Sequence, residues 1–133
     1  KQPAPLPDAA LGGTETVLLV EDEDPVRQLV RDTLEAKGYR VLEAESGEAG
    51  LSMAGRHEGK IDLVITDVIM PGMGGRELVK QLARARPSTK VLYLSGYTED
   101  AIVSEGSLEE GTAFLQKPFS LQTLSRKVRE VLG

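Results

Sequence analysis

At 133 residues the chain has room for one hydrophobic core and not two, and 40% hydrophobic with 28% charged residues is the balance of a globular domain. Aromatic residues make up only 4%, with no Trp, so the core must be assembled from Val, Leu, Ile and Ala. A formal charge of −5 argues against a broad nucleic-acid surface, and the absence of Cys excludes a disulfide framework or a thiolate metal site and fits a reducing cytoplasm.

Residues 1–13 carry Pro3, Pro5 and Pro7 and close on Gly12-Gly13, the composition of a semi-extended linker; residues 14–133 are expected to form the folded domain. The chain starts at Lys1 without an initiator Met, which suggests a piece of a longer protein. It has no apolar stretch of a signal peptide, and no run approaches the ~18 apolar residues of a membrane span. Val17-Leu-Leu-Val20 is a continuous apolar run, as expected for a parallel strand covered on both faces. Asp24-Pro25 reads as an N-cap with Pro at the first helical position. It opens a helix to about Lys37 whose inward face is Val26, Leu29, Val30, Thr33 and Leu34, and which Gly38 stops. Tyr39–Ala44 is a second strand, Ser46 caps a second helix reaching the Arg56 region, and Ile61–Thr66 is a third strand. After the loop Pro71-Gly-Met-Gly-Gly75 come a helix over about 76–86, ended by Pro87, and a strand over Val91–Leu94. A capped start at Thr98 interrupted by Gly106 and Gly111 predicts a short or mobile fourth helix. Ala113–Gln116 is the fifth strand, and Ser120 caps a last helix with Leu121, Leu124, Val128, Val131 and Leu132 on one face.

Strands alternating with helices imply right-handed crossovers and an α/β fold, a parallel sheet with helices on both faces. Ligands of such sheets bind outside the carboxyl ends of the strands. Glu21-Asp22-Glu23 follow strand one, Asp67 follows strand three, Ser95-Gly96 end strand four, and Lys117-Pro118 end strand five. Each has a plain reading alone: an Asp after a strand is a turn residue, a Lys before Pro is a solvated charge, a Ser is a turn hydroxyl. Together, at the ends of four strands, they bring carboxylates, a hydroxyl and an ammonium to one rim. Clustered carboxylates repel unless a cation sits among them, and oxygen-only ligands suit Mg2+. His57, in a polar loop, reads as solvated; Met70 and Met73 read as packing; Gly72–Gly75 lacks the Gly-Lys-Ser/Thr of a P-loop.

Val17-Leu-Leu-Val-Glu-Asp-Glu23, Ile65-Thr-Asp-Val-Ile-Met-Pro-Gly72, Ser95 and Lys117-Pro-Phe119 resemble the receiver domains of two-component response regulators, over about residues 16–132. The resemblance implies a five-stranded sheet of order 2-1-3-4-5. It implies Asp67 as phosphoacceptor, Asp22 as direct Mg2+ ligand, Glu21 reaching the metal through water, and the Ile69 carbonyl as third protein ligand. Ser95 and Lys117 would contact the phosphoryl group. The donor would be a phosphohistidine on a sensor histidine kinase, on the chain's own kinase core or on a histidine phosphotransfer protein. Phosphorylation would switch a protein-interaction surface in the cytoplasm, with no nucleic acid bound by this domain. Glu21 stands where Asp is more frequent. Phe114 stands at the place of the switch aromatic, and Tyr97, two beyond Ser95, borders the phosphoryl site with Ile69, two beyond Asp67.

Two other readings use the same residues. Haloacid-dehalogenase-type phosphatases also combine an Asp nucleophile with Mg2+, but carry a second Asp where this chain has Ile69. A degenerate receiver used only for docking would lack part of the chemical set, which is complete here. The end of the chain after the last helix fits a single-domain regulator or the C-terminal receiver of a hybrid sensor kinase. The Pro-rich leader and the segments Gly96–Val103 and Phe114–Phe119 look most like the latter.

Overall fold

The computed structural model describes residues 12–96 and 112–133. In chain order these form β1 (Thr16–Val20), α1 (Asp24–Ala36), β2 (Arg40–Ala44), α2 (Gly47–Arg56), β3 (Leu63–Asp67), α3 (Gly75–Ala85), β4 (Lys90–Ser95), β5 (Phe114–Gln116) and α4 (Leu121–Leu132). All strand pairs are parallel and the order is β2-β1-β3-β4-β5, as expected. The expected short or mobile fourth helix, with Tyr97, lies outside the described residues.

Successive residues of a strand face opposite sides of the sheet, and the core divides accordingly. Val17 and Leu19 of β1 with Leu63 and Ile65 of β3 pack under Val30 and Leu34 of α1 and Leu124 and Val128 of α4. Leu18, Val20 and Val64 pack on the other face against Ala54 of α2 and Leu78 and Leu82 of α3. β1 and β3 are buried throughout, which is why both read as unbroken apolar runs. Each such aliphatic side chain contributes roughly 1.5–3 kcal/mol by leaving water.

The helix signals hold with small shifts. Ser46 accepts from the Ala49 N–H at 3.1 Å and Ser120 from the Thr123 N–H at 3.0 Å, so both Ser caps form. Gly38 ends α1 with φ at +99°, a conformation that side chains resist. Asp24, however, lies inside α1; the N-cap is Glu23, without a side-chain bond, and Pro25 stays in the first turn. Of the expected inward faces, Leu29 is 49% and Leu121 41% exposed. Leu29 sits about 100° round the helix from Val30, beyond the strip that reaches the sheet. Both leucines line the groove between α1 and α4.

Asp67 proves to be the last residue of β3 and not the first residue of a loop, and Ser95 is the last residue of β4. The ladder therefore fixes their backbones. Asp67 pairs with Leu94, the Val68 N–H donates to the Leu94 carbonyl at 3.1 Å, and the Lys117 N–H donates to the Ser95 carbonyl at 2.7 Å.

Candidate functional site

The carboxyl ends of β1, β3 and β5 bring Glu21, Asp22, Asp67 and Lys117 together. Carboxylate oxygens of Glu21, Asp22 and Asp67 lie within 4.8 Å of one another. Glu21 is fully buried, Asp67 is 2% exposed, and Asp22 is exposed at the mouth. The Lys117 ammonium stands 2.7 Å from Asp67 Oδ1, 2.9 Å from Glu21 Oε1 and 3.8 Å from Glu23. The second Glu21 oxygen accepts from the Glu23 N–H at 3.0 Å, folding the acidic loop over its own first residue. The Asp67–Lys117 contact is ionic: neither Asp67 oxygen completes an aligned hydrogen bond among the described residues. Ser95 Oγ is likewise buried without a partner among them.

Two buried carboxylates facing one ammonium leave an excess of negative charge. Burial, then the neighbouring Glu21, push the Asp67 carboxyl up to about 9 against the opposing pull of Lys117. Burial would raise Glu21 too, but its contacts with Asp67, the Lys117 ammonium and the Glu23 N–H leave it below the usual carboxylate range. Burial works against the charge on Lys117, yet the two carboxylates hold it above its ordinary value. A hard divalent cation fits this cluster: every side-chain ligand is oxygen, the charge is in excess, and the Asp67 oxygens have no hydrogen-bond partner among the described residues.

The sign of the Asp67 shift gives a testable result. A group whose pKa is raised on folding favours the fold at low pH, and that contribution is lost as pH rises toward the folded value. Asp67→Asn removes the titration and the repulsion. It is expected to stabilise the metal-free domain by about 1–2 kcal/mol at pH 8 and by less at pH 5. Urea unfolding in EDTA at the two pH values measures it; an equal or negative change at both would contradict the electrostatic account.

Ile69 lies in the loop after β3 and is 50% exposed. Phe114 starts β5 opposite Tyr93 and is 37% exposed, so it is not a buried ring at the rim among the described residues. His57 ends α2 away from the site, and its carbonyl accepts from Arg86 at 2.8 Å. Met70 is buried in the core and Met73, partly buried, packs against it. Two residues that sequence reasoning passed over also shape the site. Gly75 begins α3, and its N–H donates to the Val68 carbonyl at 2.9 Å; a Cβ there would overlap the Asp67 carbonyl oxygen. Arg27 of α1 donates to the Glu21 carbonyl at 2.8 Å. The Gly74-Gly75 pair before a helix was a legible hint of close approach; nothing in the sequence marked Arg27.

A family model described as the response regulator receiver domain matches residues 17–129. The chain belongs to this family. Among curated relatives of the receiver, the sensor kinase CckA of Brucella abortus is 43% identical over 122 residues, covering 92% of this chain and 13% of that protein. Among solved structures, the receiver domain of the hybrid histidine kinase CckA superposes with TM-score 0.74 at 39% identity, covering 89% of this chain and 99% of that one. The chemotaxis protein CheY4 of Vibrio cholerae gives 0.78 at 34% identity, covering 90% and 99%. The receiver spans less than half the length of the first curated relatives it matches. No helix among its described residues is long and apolar enough to cross a membrane.

Proposed function

We propose that this receiver takes a phosphoryl group on Asp67 with Mg2+ held by Asp22, Asp67 and the Ile69 carbonyl, and with Glu21 reaching the ion through water. The observation that supports this reading is the buried Asp67 carboxylate, 2.7 Å from the Lys117 ammonium and within 4.8 Å of two further carboxylates.

Asp67 attacks phosphorus in line: a carboxylate O–P bond forms, the P–N bond to the donor imidazole breaks, and its electron pair stays on the ring nitrogen. No base is required once Asp67 is ionised. Mg2+, when bound, draws phosphoryl and carboxylate oxygens together and offsets the repulsion between two anions. Lys117, already charged, neutralises phosphoryl oxygens, and the buried Ser95 hydroxyl supplies a donor to one of them. Transfer then commits the domain to a changed contact surface, a shift of population between two states.

The partners in this reading are a sensor histidine kinase, the kinase core of a longer parent chain, or a histidine phosphotransfer protein, and the setting is cytoplasmic. An apolar cleft of about 530 Å³ beside Lys117, lined by Val26, Leu29, Pro118 and Phe119, offers a donor protein a seat next to the acceptor. In the same reading residues 1–13 are a Pro-rich linker and 14–133 the receiver. Incubation with acetyl phosphate should add one phosphoryl mass in Mg2+, none in EDTA, and none to Asp67→Asn. A phosphoryl adduct retained by Asp67→Asn would remove Asp67 as acceptor.

A further inference from the structure

The segment Glu21–Asp24, which runs from the end of β1 into the first residue of α1, carries two of the three clustered carboxylates, and one guanidinium ties it at both ends. Arg27 Nη1 donates to the Glu21 carbonyl at 2.8 Å, and Nη2 meets Asp24 Oδ1 at 2.6 Å. Its Nε donates to Glu43 Oε1 on β2 at 3.2 Å, while the other oxygen of Glu43 accepts from Arg31 at 2.7 Å. The Arg27 side chain is only 13% exposed. Three contacts in three directions from a planar, mostly covered group make a rigid brace, which a flexible ammonium would not reproduce. The brace joins the strand end that presents Glu21, the helix start that follows Asp22, and the neighbouring strand. Arg27 itself directs its donors at a backbone carbonyl and at Asp24 and Glu43, so it occupies none of the clustered Glu21, Asp22 and Asp67 carboxylates.

We propose that Arg27 is a positioning residue that sets the divalent-cation affinity of the acidic cluster without touching the ion. The inference rests on the reading of Glu21, Asp22 and Asp67 as a cation site. Electrostatics and positioning predict opposite signs. Removing a positive charge near a cation site strengthens cation binding by Coulomb's law. Removing a brace that orients ligands weakens it, typically 10–100-fold for groups directly behind ligands. The extended arm of Met fills the space of the Arg27 stem without its hydrogen bonds, so Arg27→Met separates the two.

The experiment titrates Mg2+ by calorimetry into the wild-type domain, Arg27→Met, Arg27→Lys and Asp22→Ala, with thermal unfolding of each in EDTA. The expected results are at least 10-fold weaker binding for Arg27→Met, a partial loss for Arg27→Lys, and a near-complete loss for Asp22→Ala. Arg27→Met that binds Mg2+ as tightly as the wild type, or more tightly, overturns the positioning role while leaving the cation site standing. A wild-type domain that binds no Mg2+, or an Asp22→Ala variant that binds it normally, instead overturns the site itself. Should Arg27→Met fail to fold, Glu43→Gln loosens the brace from its far side, and unchanged Mg2+ affinity in that folded variant would overturn the proposal.

Discussion

Gly75→Ala is expected to destabilise the domain by about 3 kcal/mol, although Ala is the better helix former. The two effects compete at the first residue of α3. Replacing Gly by Ala gains up to ~1 kcal/mol of helix propensity. Against it stands the overlap of the new Cβ with the Asp67 carbonyl oxygen, a backbone atom of a central strand. A flexible side chain could swing aside, but this carbonyl cannot. Its strand is hydrogen-bonded on both sides, to β1 and to β4. Relief must come from withdrawing the start of α3, which breaks the Gly75 N–H bond to Val68 and loosens Leu78 and Leu82 against the core. The overlap therefore wins. Because the carbonyl belongs to Asp67, part of the strain passes to that residue, and on the proposed reading Mg2+ affinity should fall as well. Urea unfolding at neutral pH and a Mg2+ titration test both parts; a variant as stable as the wild type would mean that α3 can shift freely.

The difference between Gly75 and Asp67 illustrates what the sequence could disclose. Asp67 was legible because an unbroken apolar run ends on an acid, and a parallel sheet gathers all strand ends at one rim. The same logic found Glu21, Asp22, Ser95 and Lys117, and the alternating pattern led to the layered fold. Local chemistry also marked the Ser46 and Ser120 caps and the Gly38 stop. What stayed hidden depends on distances across the chain. The clash awaiting a Cβ at Gly75, the three-way contact of Arg27 with Glu21, Asp24 and Glu43, and the pairing of Lys117 with Glu21 join residues far apart in sequence or depend on backbone approach. Helix faces were misread at Leu29 and Leu121 for a related reason. Periodicity shows that a residue is apolar on a given side, but the groove between α1 and α4 is fixed only by packing.

A long-lived phosphorylated form is expected on the proposed reading, and two substitutions should shorten its life about 10–100-fold. Hydrolysis requires water in line behind phosphorus, on the side away from the Asp67 oxygen. Ile69, two residues beyond Asp67, is half exposed in the loop after β3, so its side chain is available to border that approach. The second bordering residue, Tyr97, lies outside the described residues. Neither side chain carries an amide or carboxylate to orient water. With no such group in either side chain, the positioning of water that lowers such barriers is withheld. Ile69→Asn supplies a group able to hold water, and Tyr97→Glu adds an acceptor. A positioning gain of ~1.4–2.7 kcal/mol corresponds to the stated acceleration. The effect should appear in the hydrolysis rate; because the acetate of acetyl phosphate departs along the same in-line path that water enters, the phosphorylation rate is followed beside it. Following loss of the phosphoryl mass at neutral pH in the wild type, the Ile69→Asn variant and the double variant gives the rates. A wild-type half-life of seconds that neither replacement alters would show that these side chains do not govern the access of water.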